Sequence, residues 1–352
     1  MADTNYGVNH PLAIKKWSSE LMKEALKKTY VFQFMGKGKD SLITIKNDLT
    51  QKDGGDRIRV GIRSQLKGDG IQGDGTLEGN EEALETFYQD VHINQLRHAV
   101  RSEGKMSEQR VPFSVRDEAR DGLADWWSER WDTWFFNQIC GNTAVSDPRY
   151  YGFNSVAAPD ADHVTYAASG SSSEADISAS TVSHFSLKWI DTAVEKAKLA
   201  KNALRPLNIG GRKKYVAFIH TYQVTSLRTS AGDSQWQDIQ KAALSGGRLT
   251  DNPIYTGALG EYNDVILHES TRIPVSPNNA NVRRAVLCGA QAACVAFGRG
   301  FGKNTFSWVE ELFDYKNKLG VAAGCQSGIV KTRFDNSDYG TVVMPTYAVA
   351  SN

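Results

Sequence analysis

The chain has 352 residues, 40% of them hydrophobic and 23% charged, and its formal net charge at pH 7 is +1. This length allows a sizeable core in one large domain or in two to three modules. The near-zero charge excludes a global attraction to nucleic acid or membrane, and no run approaches the ~18 apolar residues of a membrane-spanning helix. The first residues contain no apolar signal core, so we expect the chain to stay in the cell that makes it.

The cysteine pattern indicates neither disulfides nor a zinc finger. The cysteines are Cys140, Cys288, Cys294 and Cys325. They form no C-x-x-C pair, and no histidine lies at zinc-finger spacing. We therefore predict free, buried thiols in a reducing compartment.

Residues 11–30 predict an amphipathic helix whose apolar face carries Ile14, Trp17, Leu21 and Ala25. The other faces carry the lysines Lys15, Lys16, Lys23, Lys27 and Lys28. Such lysines usually form a solvated face, and contact with a polyanion is the alternative.

The segment 57–94 predicts a long two-stranded ribbon. In RIRVGIR (57–63), Ile58, Val60 and Ile62 alternate with arginines, which gives one apolar and one cationic face. The return run TFYQDVHIN (86–94) alternates more weakly, and the residues between the two runs form a tip rich in Gly, Asp and Glu. An isolated two-stranded ribbon is marginal in water and its edges invite another chain, so we expect it to lie on another surface.

The ribbon tip contains a literal G-x-G-x-x-G at Gly68, Gly70 and Gly73. A dinucleotide site is disfavoured, because the preceding strand is charged on one face and no helix opens directly after the glycines. A calcium loop built from Asp69, Asp74 and Glu78 is harder to dismiss than a dinucleotide site, although the spacing fits no known calcium motif. We favour a mechanical role for this loop.

Residues 114–140 give the strongest helix signal in the chain. Ser114 followed by Asp117 resembles a capping box, and Gly141 occupies the position of a C-terminal glycine. A broad apolar stripe contains Val115, Ala119, Leu123, Trp126, Trp127, Trp131, Trp134, Phe135 and Ile139. The helix would span about 40 Å, and we predict that it is a structural spine with its aromatic residues in the core.

The remaining chain predicts an α/β region followed by closing strands. Residues 143–180 lose periodicity and include a Ser-rich stretch, so we predict a surface insertion. A second helix is predicted over 185–202, with Leu187, Ile190, Val194 and Ala197 aligned. Strands are predicted over 213–220, 264–270, 283–289, 305–315, 319–334 and 340–349, and short helices over 234–244 and 290–298.

No catalytic motif emerges. GRGFGKN (298–304) resembles a P-loop, but its glycine spacing is one residue short and Asn304 replaces the Ser or Thr that would hold magnesium. There is no G-x-S-x-G nucleophile elbow. The histidines His92, His98, His220 and His268 are scattered without an activating partner nearby. We therefore expect no catalytic residue, no cofactor and no metal, and not an enzyme.

Several strings together resemble the major capsid proteins of tailed bacteriophages. They are YVAFIHTYQVTSLRT, NPIYTGALGEYNDVILHES, LCGAQAACVAFG and DYKNKLGVAAGCQSGIVKTRF. The resemblance covers residues 213–347 well, and the spine and ribbon less specifically. It implies an α+β chain with the Hong Kong 97-type capsid fold.

On that template the chain divides into four parts. Residues 1–50 resemble the N-terminal arm, and 51–98 the extended loop. Residues 99–205 with 300–352 resemble the peripheral domain, which contains the spine helix at 114–140 and the insertion at 143–180. Residues 206–299 resemble the axial domain, which meets its copies around the hexamer and pentamer axes.

The resemblance also implies contacts between copies. We hypothesise that the cationic ribbon face, Arg57, Arg59 and Arg63, pairs with acids on a neighbour's spine helix. Those acids are Asp117, Glu118, Asp121, Asp125, Glu129 and Asp132. The alternative is that the arginines only keep a free ribbon soluble.

The function implied is that of a major capsid protein, which assembles from hexamers and pentamers into an icosahedral shell around packaged double-stranded DNA. Expected partners are copies of the chain itself, a separate scaffold protein, a portal, decoration proteins and weakly bound DNA, with no membrane. The arm lysines would face DNA or scaffold, assembly would occur in the host cytoplasm, and the product would be the virion capsid. Two rivals remain, namely an α/β enzyme or ligand-binding protein with a glycine-rich lid, and a virion tube or decoration protein.

Overall fold

The computed structural model describes residues 30–50, 54–63, 68–112, 114–167, 172–180, 183–200, 202–229, 258–299 and 306–350. The helix predicted over 11–30, apart from its last residue, lies outside the described residues, as do its five lysines. The short helix predicted over 234–244 also lies outside them.

The described residues form four α-helices and seventeen strands. The helices are α1 (Lys105–Gln109), α2 (Val115–Ile139), α3 (Leu187–Leu199) and α4 (Thr221–Thr229). The strands are β1 (Met35–Gly36), β2 (Ile43–Lys46), β3 (Arg57–Arg63), β4 (Thr86–His92), β5 (Asn94–Arg101), β6 (Leu207–Ile209), β7 (Arg212–Ile219), β8 (Ala258–Tyr262), β9 (Val265–Glu269), β10 (Val275–Ser276), β11 (Asn279–Cys288), β12 (Ala293–Phe297), β13 (Phe306–Phe313), β14 (Lys318–Lys331), β15 (Arg333–Phe334), β16 (Ser337–Asp338) and β17 (Thr341–Tyr347). Short 3-10 helices lie at Val31–Phe34, Asp48–Thr50, Pro148–Tyr150, Ala161–His163 and Glu174–Asp176.

Two sheets organise the described chain. The first has the order β1-β2-β12-β14-β13, with β5 paired to β14 as well. The second has the order β10-β11-β7-β9-β8, with β17 on β11 and β6 on β7. The strands β3 and β4 form a separate two-stranded ribbon, and β15 pairs with β16.

Helix α2 provides the main core and confirms the predicted spine. Ser114 Oγ accepts a hydrogen bond from the Asp117 backbone N–H at 3.3 Å, so the predicted N-cap is correct. Gly141 follows the last helical turn with φ 66°, a left-handed conformation that glycine adopts without strain. The side chains of Trp127, Trp131 and Trp134 are fully buried.

The aromatic face of α2 packs between the two sheets. One hydrophobic cluster joins Trp127 and Trp134 to Phe306 of the first sheet and to Val216 and Phe218 of the second. The opposite face of β7, with Tyr215, Ala217 and Ile219, belongs to a second cluster with α3. Strand β7 is thus buried on both faces, as its continuous apolar run predicts, and the predicted second helix is confirmed as α3.

The predicted small helix over 290–298 is wrong. Residues Ala293–Phe297 form β12, which pairs in parallel with β2 and antiparallel with β14. All five residues are buried. A short apolar run that is buried on both faces shows no periodicity, so the sequence pattern does not distinguish a strand from a helix. Pairing with β2 and β14 makes this segment a strand. Helix α4 was not predicted.

The predicted surface insertion at 143–180 needs correction at a few of its described positions, which are packed into the core. Val164, Ala167 and Ile177 are buried, and the Thr165 N–H donates to the Val343 carbonyl at 2.9 Å. Glu174, 3% exposed, forms a buried ion pair with Arg284, whose Nε lies 2.7 Å from Glu174 Oε1. Many other described residues of the segment are exposed, so the loss of periodicity indicates irregular backbone that lies on the surface but is anchored in the core.

All four cysteines are free and buried, as predicted. Burial raises the pKa of the Cys140 thiol to about 12, so its reactive thiolate is scarce at neutral pH. Among the described residues, no helix combines the length and apolarity that a bilayer crossing requires.

The buried Glu174–Arg284 pair yields a stability prediction. Glu174→Ala should lower the free energy of unfolding by about 3–5 kcal/mol, because a buried guanidinium loses its carboxylate partner. Urea unfolding followed by tryptophan fluorescence measures the change.

The double replacement Glu174→Leu with Arg284→Met should be more stable than Glu174→Ala, since no unpaired charge remains. Arg149→Ala, which removes the exposed partner of Asp147, serves as the control and should leave the midpoint unchanged. A double variant as unstable as the single one would contradict the expected effect of an unpaired charge.

Candidate self-association surface

The predicted ribbon is confirmed. Strands β3 and β4 pair antiparallel over seven positions, from Arg57 opposite His92 at the base to Arg63 opposite Thr86 at the far end. The return strand ends two residues earlier than predicted, because Asn94 already begins β5.

The base of the ribbon packs on its own chain. Ile58 and Val91 face each other across the strands and are 5% and 0% exposed. They contact a small cluster formed by Cys294, Ala296 and Val330. The expectation that the ribbon lies on another surface is therefore met at this end by its own chain, since the first sheet covers the apolar base.

Two side-chain amides fix the base in place. The Gln89 amide donates to the Lys331 carbonyl at 2.7 Å and accepts from the Arg333 N–H at 2.9 Å. The Asn154 amide likewise accepts from the His92 N–H at 2.8 Å and donates to the His92 carbonyl at 3.0 Å. Each amide thus mimics a strand neighbour, and the ribbon leaves the body at a defined angle. Sequence reasoning missed both, since a single Gln or Asn carries no pairing signal.

Of the predicted cationic face, the structure describes the side chains of Arg57 and Arg59, and each has an acid nearby. Arg59 forms two hydrogen bonds to the Asp90 carboxylate, at 2.7 and 2.9 Å, and its guanidinium lies 4.1 Å from the Tyr88 ring centre. These hydrogen bonds lower the pKa of Asp90 and raise that of Arg59. Asp90 lies opposite Arg59 in the register. Arg57 lies 4.0 Å from Asp56 and is largely exposed.

The ribbon tip is exposed and strongly acidic. Residues 68–85 carry six acids and no cation, namely Asp69, Asp74, Glu78, Glu81, Glu82 and Glu85. Leu77 and Leu84 are 63% and 58% exposed, although leucine favours burial. Hydrogen bonds such as Gly68 N–H to Glu82 and Asn80 to the Thr76 carbonyl stay within the tip.

The geometry of the tip supports neither the dinucleotide site nor the calcium loop. Its backbone contains two turns and no helix between residues 68 and 85, so no helix N-terminus faces the glycines. Among the described residues, no three His, Cys, Asp or Glu side chains converge into a group that could hold a metal ion.

The acids of α2 lie on one side of the helix. At 100° per residue, the six predicted positions fall within an arc of roughly 120°. Asp117, Glu118, Asp125 and Glu129 are exposed and Asp121 is half-buried. Within the chain, Glu129 pairs with Arg272 and Asp121 with Arg120.

Asp132 does not belong to the accessible set. It is buried, and its Oδ1 accepts a hydrogen bond from the Val31 N–H at 3.1 Å. The segment Val31–Phe34 covers this end of the helix, with Phe32 5.3 Å from the Trp131 ring. Burial raises the pKa of Asp132 to about 6, although the backbone hydrogen bonds and Arg272 oppose the rise. The predicted neighbour contact at Asp132 is therefore wrong, since the chain itself occupies the site.

Comparisons with known proteins identify the class of protein. The phage capsid protein family matches residues 5–350. A major capsid protein of Pseudomonas phage KPP25 is 26% identical, with 90% of this chain and 89% of that protein covered. Among solved structures, the capsid of Ralstonia phage GP4 is 31% identical with a TM-score of 0.80, and each chain is fully covered. The capsid asymmetric unit of cyanophage Pam1 is 18% identical with a TM-score of 0.73, with 93% of this chain and 94% of that chain covered, and shows the shared fold.

The fold and its exposed ribbon are thus those of a structural shell protein, a class that is not enzymatic. The chain belongs to the phage capsid protein family. It is a phage major capsid protein and part of the virion, in an icosahedral capsid.

The raised pKa of Asp132 predicts a pH dependence of stability. The folded chain binds the Asp132 proton more tightly than the unfolded chain, whose pKa is near 3.8. The favourable contribution is therefore complete below pH 4 and is lost as the pH rises through about 6. Asp132→Asn removes this cost of ionisation and should gain up to about 3 kcal/mol relative to the wild type between pH 4 and pH 7.

Urea unfolding of the unassembled chain at several pH values measures this gain. Asp69→Asn, at an exposed position of the ribbon tip, is the control and should change the free energy of unfolding by the same amount at every pH. A flat difference for Asp132→Asn would mean that its carboxyl titrates normally.

Proposed function

We propose that copies of this chain assemble through hexamers and pentamers into an icosahedral shell that encloses packaged double-stranded DNA, with the Hong Kong 97-type capsid fold. The observation that carries the proposal is the ribbon, whose base is fixed to its own chain while its acidic, leucine-bearing tip is uncovered. Apolar side chains that form a contiguous exposed patch mark a protein interface, and Ile71, Leu77 and Leu84 are all exposed within this one tip. The full-length similarity to the Ralstonia phage GP4 capsid supports the same conclusion.

The proposed domains follow the four-part template, with the arm at 1–50, the extended loop at 51–98, the peripheral domain at 99–205 with 300–352, and the axial domain at 206–299. Two strands cross the limit between the peripheral and axial domains. Strand β12 lies in the axial range but joins the first sheet, and β17 lies in the peripheral range but joins the second. The peripheral and axial domains would therefore share strands and behave as one body.

The ribbon of one copy would lie on the spine helix of the next. Arg57, Arg59 and Arg63 would then face the acids of α2 that remain accessible. Those acids are Asp117, Glu118, Asp121, Asp125 and Glu129. Exposed ion pairs are individually weak, but a closed shell repeats each of them in every subunit. Arg59 would bridge its own Asp90 and a neighbour's acid, which its five donors allow.

Further partners remain part of the proposal. A scaffold protein, a portal and decoration proteins would bind the assembling shell in the host cytoplasm. The arm lysines Lys15, Lys16, Lys23, Lys27 and Lys28 would face DNA or scaffold. Electron microscopy of the purified chain tests the proposal as a whole, because closed polyhedral shells support it and tubes or stable monomers contradict it.

Charge reversal tests the ribbon contact. The triple variant Arg57→Glu, Arg59→Glu and Arg63→Glu should fold as a monomer but fail to form shells, because its negative charges would repel the acids of α2 on the neighbour. Electron microscopy measures assembly and circular dichroism measures folding.

The matched variant reverses both partners by adding Asp117→Lys, Glu118→Lys, Asp121→Lys, Asp125→Lys and Glu129→Lys. Assembly should return, because the attraction is restored with opposite signs. Normal shells from the triple variant alone would refute the ribbon–helix pairing.

The exposed leucines give a second test. Leu77→Ser with Leu84→Ser should abolish shells or raise the protein concentration needed to form them, because the tip loses its apolar contact. The melting temperature of the monomer should stay unchanged, since both side chains are already exposed. A wild-type assembly threshold would mean that the tip leucines form no contact between copies.

A further inference from the structure

Two loops far apart in sequence form a cationic groove. The turn 36–41, with the sequence GKGKDS, meets the segment 205–213 at one edge of the molecule. Asp40, Arg205, Pro206, Asn208, Gly211 and Lys213 line an open groove of about 350 Å³ between them. No part of this groove belongs to the ribbon or to the acids of α2.

Hydrogen bonds fix the groove in place. Arg205 Nη2 lies 2.6 Å from Asp40 Oδ1 and ties the two loops together. The Ala290 N–H donates to the Arg205 carbonyl at 2.7 Å, and the Gln291 N–H donates to the Ser41 carbonyl at 2.8 Å. Both walls are therefore held against the turn 289–291.

The two loops that meet at the groove are rich in exposed cations. Arg205 and Lys213 line the groove itself, and Lys37, Lys39 and Arg212 are exposed residues of the same two loops. Asp40 is the acid in the lining, and its carboxylate is already bound to Arg205. The adjacent Lys214 is buried and pairs with Glu261, so it does not contribute to the exposed charge.

The hairpin that forms one wall keeps its backbone open. Strands β6 and β7 are joined by Gly210 and Gly211, with φ values of 58° and 81°, as a tight two-residue hairpin loop requires. No atom lies within 4 Å of the position of an added Cβ at either glycine. A large extended ligand can thus approach the backbone beside Lys213 without meeting side chains.

We propose that this cationic groove binds the phosphodiester backbone of double-stranded DNA; the proposal rests on the proposed function as a DNA container. Phosphate contacts by Lys and Arg need no sequence-specific geometry, and an open groove suits a continuous polyanion better than a small ligand. A chain of net charge +1 exerts no global pull on DNA, so a local cluster must supply the contact. No large apolar side chain lines the groove, which disfavours a leucine-bearing acidic segment such as the ribbon tip.

Duplex binding by the unassembled full-length chain tests the proposal. The groove variant is Lys37→Gln, Lys39→Gln and Lys213→Gln, which leaves the Arg205–Asp40 pair intact. It should bind a short fluorescent DNA duplex about tenfold more weakly at low salt, and the slope of log affinity against log salt should fall by about 2–3. Fluorescence anisotropy over a salt series measures both.

The matched control is Lys105→Gln, Lys188→Gln and Lys316→Gln, which removes the same charge from exposed lysines elsewhere. Its affinity and salt slope should stay within twofold of the wild type. Equal melting temperatures for all three proteins establish that each variant is folded.

The outcomes separate this proposal from the proposed function. Wild-type binding by the groove variant, equal loss in the control, or no binding by the wild type overturns the groove assignment, whatever electron microscopy shows of shells. Loss of shells with unchanged DNA binding also overturns it and assigns the groove to an acidic protein segment. Groove-dependent DNA binding by a chain that forms no shells supports the groove and contradicts the proposed function.

Discussion

The packing of α2 between the two sheets is the constraint on which the rest of the structure depends. Trp127 and Trp131 contact Phe306 and Phe297 of the first sheet. Phe135 and Phe136 contact Phe218 of the second sheet, and each large aromatic side chain contributes much apolar area. Because one helix contacts both sheets, their relative position is fixed by side-chain packing. The ribbon base on the first sheet and the hairpin wall of the groove on the second are therefore held relative to one core.

The sequence predicted the elements whose signals are local. Ser114 and Gly141 mark the ends of α2 through capping chemistry, and alternation in RIRVGIR marks β3 through the pleat of a strand. Those signals depend on residues a few positions apart. The ribbon register is not among these predictions, because alternation fixes the face of each residue but not its partner; the structure places Asp90 opposite Arg59.

The failures share one physical cause, which is tertiary contact. Asp132 lies on the same arc as the accessible acids, and only the segment Val31–Phe34, about a hundred residues away, buries it. The alanine-rich β12 is a strand because β2 and β14 flank it. Glu174 is buried beside Arg284, and the ion pair between them compensates both charges inside the core. None of these partners is visible in the local pattern, and the cationic groove was missed for the same reason.

The division of the ribbon into a fixed base and an uncovered tip has an energetic consequence for assembly. Association costs free energy to order whatever is mobile beforehand. The amides of Gln89 and Asn154 and the burial of Val91 order the base already in the single chain. In the proposed contact between copies, a neighbour would need to order only the outer part, and more of the weak contact energy would remain for binding. A ribbon held only by the neighbour would lose this advantage, because its base would also have to be ordered on association.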